Sequence, residues 1–189
     1  MRSDMPIVIR PAIPADAESL AAFAARSFAE TYADANNADD MALHLATTYS
    51  ARQQLSTILD PAVDVLVAED AGSLAGYAQV RSANAPPCVD AESAVELWRF
   101  YVDRAWHGRG VARALMTAVT DAGLARGAGA IWLSVWEQNE RAKAFYARSG
   151  YRRVGTTAFV LGTDVQTDWV MVREHVAPVT SAPTQGDRG

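Results

Sequence analysis

The sequence predicts an α/β domain in which helices flank a mixed central sheet of about six to seven strands. Three observations carry this expectation. The strand-like stretches DVLVAE (64–69), LAGYAQVR (74–81) and ELWRFYV (96–102) follow one another with only turn or loop between them, as antiparallel neighbours do. AIWLSVW (130–136) is apolar almost throughout, as in a central strand covered on both faces. Helical patterns at about 109–126 and 139–149 separate the later strands.

The elements follow in order. Ile7–Arg10 reads as a short first strand. Pro14 opens a helix to about Thr31, with Leu20, Phe23, Ala24, Ser27 and Phe28 mostly on one side. Asn37 caps a second helix at about 38–47, and Ser50-x-x-Gln53 is a capping box for a third that ends at Asp60-Pro61. Ala71-Gly72 turns the 64–69 strand back into 74–81, and 83–92, with Pro86-Pro87, is a loop. Val111, Leu115, Val119 and Ala122 share one face of the helix that Gly127 and Gly129 stop. Asn139 caps the last helix, which Gly150 closes. Tyr151–Leu161 and Val165–Val172 are two final strands around Gly162-Thr163-Asp164. A single domain is expected over 1–176, with 177–189 a disordered tail rich in Pro, Ser, Thr and Gly.

Composition narrows the function. The 189 residues suffice for one sizeable core. The N-terminus carries Asp4 and no long apolar run, so no signal peptide is expected. No stretch approaches the roughly 20 apolar residues that span a bilayer, so no membrane partner is expected and the cytoplasm is the expected location. Cys88 is the sole cysteine and reads as an incidental thiol, which excludes an internal disulfide and a cysteine-rich zinc site. His44, His107 and His175 show no ligand spacing, so no metal is expected. Residues 1–95 hold 5 Arg and 13 Asp+Glu, a net of −8, whereas residues 96–189 hold 12 Lys+Arg and 9 Asp+Glu, a net of +3. Such asymmetry fits either two ligands of opposite charge in one cleft or plain solvated surface. The overall net charge of −5 argues against nucleic acid.

The most informative stretch is VDRAWHGRGVA, Val102 to Ala112. It reads as a strand end, a glycine-bearing turn and a helix start, which presents free backbone N–H groups as phosphate-binding sites do. His107-Gly108-Arg109-Gly110-Val111-Ala112 lacks both the P-loop GK[ST] and the GxGxxG fingerprint, and alone it could be an ordinary turn. It resembles the Q/R-x-x-G-x-G/A pattern of the GNAT N-acetyltransferases, with His107 where Gln or Arg is usual. LSVWEQNERAKAFYARSGYRRVG (133–155) resembles that family's second signature, and the likeness runs from about Ile7 to Glu174. FAETYADANNADDM, ELWRFYVDRAWHGRGVARALM and LGTDVQTDWVMVR further resemble the PaiA-like polyamine acetyltransferases.

The resemblance implies the GNAT fold, acetyl-CoA as cosubstrate and direct attack of an amine on the thioester. The turn from His107 to Ala112 would then hold the pyrophosphate, Asn139 would contact CoA, and free backbone N–H groups of Phe100, Tyr101 and Val102 would face the thioester oxygen. Arg104, Arg109, Arg113, Arg141 and Lys143 could add charge near the phosphates. Tyr146, at the position of the family's tyrosine, would protonate the departing thiolate, although Phe145 or Tyr146 must also pack inward. An amine of pKa ~10.4 is neutral only ~0.04% of the time at pH 7, so a base is needed. Glu96 is the first candidate, with Glu30, Asp34 and Glu92 as alternatives. The expected acceptor is a small-molecule amine, with spermidine or spermine suggested by the narrower likeness and by Glu30, Asp34, Asp39 and Asp40. A protein N-terminus, a lysine, an antibiotic amine and a non-catalytic acyl-CoA sensor are the rival readings. A homodimer is the assembly the resemblance admits.

Overall fold

A computed structural model describes residues 7–33, 36–162 and 164–174. Seven strands form one sheet: β1 (Val8–Pro11), β2 (Val63–Asp70), β3 (Ser73–Arg81), β4 (Ala94–Val102), β5 (Ala130–Trp136), β6 (Arg152–Leu161) and β7 (Asp164–Glu174). Their spatial order is β1-β2-β3-β4-β5-β7-β6. Only β4 and β5 run parallel, so the sheet is mixed, as the sequence predicts. The helices are α1 (Ala17–Tyr32), α2 (Ala38–Thr48), α3 (Ala51–Leu59), α4 (Val111–Ala125) and α5 (Glu140–Arg148). Thr163, His175 and the tail from Ala177 lie outside the described residues.

Local chemistry sets the boundaries. Asn37 Oδ1 accepts from the N–H groups of Asp39 and Asp40 and starts α2, and Ser50 Oγ accepts from Gln53 N–H and starts α3. Ala71 and Gly72 both have positive φ, 47° and 83°, as a two-residue hairpin turn between right-twisted strands requires. Gly127 and Gly150 adopt left-handed conformations that end α4 and α5.

The two faces of the sheet bury separate cores. On one face, Leu115, Met116 and Val119 of α4 and Tyr146 of α5 pack on Val80, Leu97, Ile131, Leu133 and Met171. On the other, Leu20, Phe23 and Phe28 of α1, with Met41 and Tyr49, cover Val65, Val67 and Tyr77. The loop after β3 continues that second layer, with Val89 against Trp132, Val170 and Val172.

Two irregularities in β4 position everything that follows. β4 pairs with β5 only at Ala94, Val95 and Glu96, opposite Ala130, Ile131 and Trp132, after which the strands diverge. Against β3, Gln79 faces Arg99 while Val80 faces Leu97, which leaves Trp98 as an extra residue. Such a bulge puts two successive side chains on one face and re-aims those beyond it. Arg99 therefore joins Trp98 on the α1–α3 face, while Phe100 turns toward α5.

Gly76 lies where β3 passes β4, and a Cβ there would meet Tyr101 O at 2.8 Å and Val102 Cγ2 at 3.2 Å. Backbone supplies the nearer contact, so no side-chain rotation relieves it. Gly76→Ala is expected to lower stability by about 1–3 kcal/mol, read as a lower urea midpoint.

Candidate functional site

The divergence of β4 and β5 opens a cleft of about 1090 Å³, bounded by α1, the β4–α4 connection, α4 and α5. Phe100 and Val102 line one wall and Trp136, Asn139, Arg141 and Tyr146 the other. The carbonyl of Val102 points away from β3 and lies 2.8 Å from His107 Nε2. Strand alternation therefore aims the N–H groups of Phe100 and Val102 into the gap and sends that of Tyr101 toward β3. This narrows the expected oxyanion donors to Phe100 and Val102. Tyr101 contributes its side chain on the opposite face, stacked on Tyr77 at 5.6 Å.

Asp103 orders the connection: its Oδ1 accepts from Ala105 N–H, and its Oδ2 lies 3.1 Å from Arg26 Nη2. Gly108 and Gly110 then take φ of 77° and 84°, and Gly110 occupies the N-cap of α4 without a side-chain cap. The first N–H groups of the helix have no carbonyl one turn back to bond, so they remain as donors at the cleft. Arg104, Arg109, Arg113 and Arg141 line the same space. Burial, and then the charge of Arg104, push the pKa of Arg141 down, as expected where cations gather before an anion arrives. Lys143 is placed elsewhere. It is buried, 4.1 Å from the Trp169 ring centroid, with its ammonium on Glu140 at 2.6 Å and on the Glu137 carbonyl.

Asn139 Oδ1 accepts from Ala142 N–H and caps α5, so its amide N–H groups are the donors it has for a ligand. Tyr146 follows two turns later. Its ring meets Phe100, Phe145 and Tyr151, and Phe145 stacks on Phe100, so both aromatics pack at the cleft wall. Burial, then Tyr32 and Tyr151, hold the Tyr146 phenol well above its ordinary pKa, so it stays a donor.

The chain matches the Acetyltransferase (GNAT) family over residues 24–151. It is 35% identical over 161 residues to an uncharacterised N-acetyltransferase of Mycobacterium tuberculosis, covering 85% of this chain and 99% of that one. The chain belongs to the GNAT acetyltransferase family. It is an N-acetyltransferase that uses acetyl-CoA. A second relative, an uncharacterised N-acetyltransferase of Lactobacillus delbrueckii, is 30% identical over 85% of this chain and 93% of its own. Among solved structures, the PaiA N-acetyltransferase of Thermoplasma acidophilum in complex with coenzyme A is similar, with a TM-score of 0.76. At 21% identity over 90% of this chain and 100% of that one, it speaks for the fold.

For a GNAT enzyme the remaining question is the acceptor side. Glu96 does not join the cleft wall. It is the last paired residue before the strands part, 6% exposed, and its carboxylate is held by Arg81 Nε at 2.5 Å. The sequence argument had only its place at the head of β4 to go on, and the cross-strand arginine claims it. Glu92 is exposed in the loop before β4. Asp34 lies outside the described residues. Glu30 lines the cleft but sits 3.4 Å from Arg104 and 4.0 Å from Arg26. Asp39 and Asp40 are in the first turn of α2.

Asp168 and Tyr32, which sequence patterning did not single out, both neighbour the cleft residue Trp136. Asp168 of β7 is opposite Trp136 of β5 and is 7% exposed. Burial holds its carboxyl above the usual range, Ser134 lowers it in part, and Glu137 raises it. Tyr32, at the end of α1, rests on Trp136 with ring centroids 5.7 Å apart. Burial, then Asp168 and Tyr49, push its phenol up to about 12. A charged residue in the middle of an apolar strand was the available signal, since burial there is costly without a purpose. Arg99 in ELWRFYV and Asp168 in DVQTDWVMV both carry it. Among the described residues no group of acids, histidines and cysteines could hold a metal, and no helix is long and apolar enough to cross a membrane.

Gly110→Val is expected to weaken acetyl-CoA binding at least ~10-fold in calorimetry. The valine must adopt a φ of 84° that costs roughly 1–2 kcal/mol, and its side chain enters the space before the helix N–H groups.

Proposed function

We propose that this enzyme transfers the acetyl group by direct attack of a primary amine on the thioester lying between β4 and β5. The observation that carries this reading is the early loss of β4–β5 pairing, with Phe100 and Val102 N–H groups facing Tyr146 across the gap. The pyrophosphate sits on the α4 N-terminus within the arginine cluster, and Asn139 holds the pantetheine arm. The N–H groups of Phe100 and Val102 stabilise the tetrahedral oxyanion, being fixed before charge develops. Tyr146 donates to the departing thiolate. Its raised pKa suits a hydrogen-bond donor that never ionises at working pH.

Asp168, directly or through water, takes the proton from the amine. Arg81 leaves Glu96 little scope to do so, whereas a carboxyl with a raised pKa is a better matched base. Spermidine and spermine remain acceptors that this mechanism admits, alongside amines of other classes.

Release of free thiol from acetyl-CoA, measured across a panel of amines, tests the reading. Tyr146→Phe should lower kcat about 10-fold or more with acetyl-CoA affinity unchanged. Unchanged turnover removes Tyr146 from the mechanism.

Asp168→Asn should lower kcat by about 10²-fold. It should also make the protein more stable at neutral pH. Because the folded-state pKa of Asp168 is raised, the folded protein binds this proton more readily than the unfolded chain, and the ionised carboxylate costs stability above that pKa. The advantage of the Asn variant should therefore shrink as pH falls through the raised pKa and Asp168 becomes neutral. Thermal melts at several pH values read this directly.

A further inference from the structure

The bulge at Trp98 aims a cation into the acceptor side of the sheet. Arg99 shares the α1–α3 face with Gln79 and borders a cavity of about 200 Å³, together with Thr48, Tyr49, Gln54 and Trp98. Its guanidinium lies 4.7 Å from the Trp98 ring centroid and 5.8 Å from that of Tyr49, and Nη1 donates to Trp98 O at 3.3 Å. Among the described residues it forms no ion pair. Arg81, which also lies against the Trp98 indole, has Glu96 as its partner. A guanidinium offers five N–H donors in a planar fork; here one goes to the Trp98 carbonyl and the Tyr49 hydroxyl lies within reach of the fork, with no carboxylate on it.

The groups around Arg99 are short of partners too. The electrostatic neighbours facing it are the hydroxyls of Tyr49, Tyr101, Tyr77 and Tyr32, and no carboxylate is among them. Tyr49 is 4% exposed and lines the cavity, and its buried hydroxyl makes no hydrogen bond of good geometry. The hydroxyl of Tyr77, fully buried beneath, is likewise without a partner. Buried polar groups in folded proteins are satisfied almost without exception, so a guanidinium with phenol hydroxyls around it and no carboxylate beside it is complementary to an anion.

The direction toward the reaction centre is also set. Phe100, the next residue, supplies the gap-facing N–H, so Arg99 is one residue from the thioester position but on the opposite face of β4. Tyr32, whose ring rests on Trp136 opposite Asp168, is within electrostatic reach of both Asp168 and Arg99.

We propose that Arg99 binds a carboxylate on the acceptor, so that the substrate class is an amino acid or amino-acid analogue whose amine faces Asp168 and whose carboxylate faces Arg99, Tyr49 and the cavity beside them. The proposal rests on the acetyl-transfer reading above and gives its acceptor a charge pattern. A polycation, by contrast, has to place positive charge beside Arg99 with no anion between.

The wild-type enzyme provides the first test. Free α-amino acids, their matching carboxamides and spermidine are compared by thiol release under saturating acetyl-CoA. At least one amino acid should exceed its carboxamide in kcat/KM by about 10- to 100-fold, since a charge-assisted hydrogen bond is lost with the carboxylate. Arg99→Met should raise KM for that amino acid by a similar factor. It should leave kcat/KM for the carboxamide and the dissociation constant of acetyl-CoA within about twofold of the wild type. Arg99→Lys, which keeps the charge and loses the fork, should fall between and guards against a Met variant that fails to fold.

Carboxamides or spermidine used as well as the best amino acid, or acetyl-CoA affinity falling with Arg99, overturn the proposal. If acetyl-CoA binds but no amine is acetylated, the transfer reading fails on its own. The subsite is then judged by calorimetry of N-acetyl amino acids against their amides on the CoA-bound protein. Arg99-dependent preference for the acid upholds the subsite, and equal binding removes it.

Discussion

Beyond Glu96 and Trp132, two neighbouring parallel strands cease to share hydrogen bonds while both run on inside the domain. Buried backbone N–H and C=O groups are normally paired, and each left unmade costs about 1–3 kcal/mol. The sheet tolerates the gap because its flanks are strongly tied. β4 keeps its ladder with β3, and β5 is paired along its whole length with β7. The divergence is thus localised at one seam between two intact halves of the sheet. A ligand that is itself amide-rich and extended, as the pantetheine arm of CoA is, can restore the missing pairing from both sides.

The bulge at Trp98 is the second half of the same device. A regular β4 would send Arg99 toward α4 and α5, into a core of Leu97, Leu115 and Leu133, where a guanidinium would have no solvent and no partner. With one extra residue, the alternation resets. Phe100 meets Phe145 and Tyr146 on the cofactor side, while Arg99 and Tyr101 join Tyr49 and Tyr77 on the other. One irregularity thereby gives the two sides of the sheet separate chemistry, and the proposed reaction would join them at the seam.

Much of this was legible in the sequence, and the reasons differ by element. Strand and helix boundaries followed from alternation, caps and glycine turns. Asn37, Ser50, Asn139 and the Ala71-Gly72 pair act through contacts a few residues long, which sequence spacing encodes directly. The conformation of the glycine turn was readable for the same reason, as Gly108 and Gly110 take positive φ. Glu96 was misjudged because its fate depends on Arg81, a cross-strand neighbour that only the register reveals. Tyr101 was misjudged as a backbone donor because the register against β3 decides which N–H groups face the gap. Asp168 and Arg99 gain their meaning from strands that meet only in the folded sheet.

The charge asymmetry of the chain takes on a physical form in these terms. The basic C-terminal half supplies Arg104, Arg109, Arg113 and Arg141, which line the cleft beside the α4 and α5 starts, where the helix dipole also favours an anion. The acidic N-terminal half does not simply make an acidic acceptor groove, because Arg10 holds Asp16 and Glu69, Arg26 and Arg104 hold Glu30, and Arg126 holds Asp64. Four of the thirteen N-terminal acids are thus held by arginines within the fold. In the proposed acceptor geometry the deciding groups are local: a buried carboxyl on β7 and a guanidinium on β4 with no carboxylate partner among the described residues, both acting on Tyr32. Net charge by half-chain therefore says little about the acceptor, and the sign of each uncompensated group at the seam says a great deal.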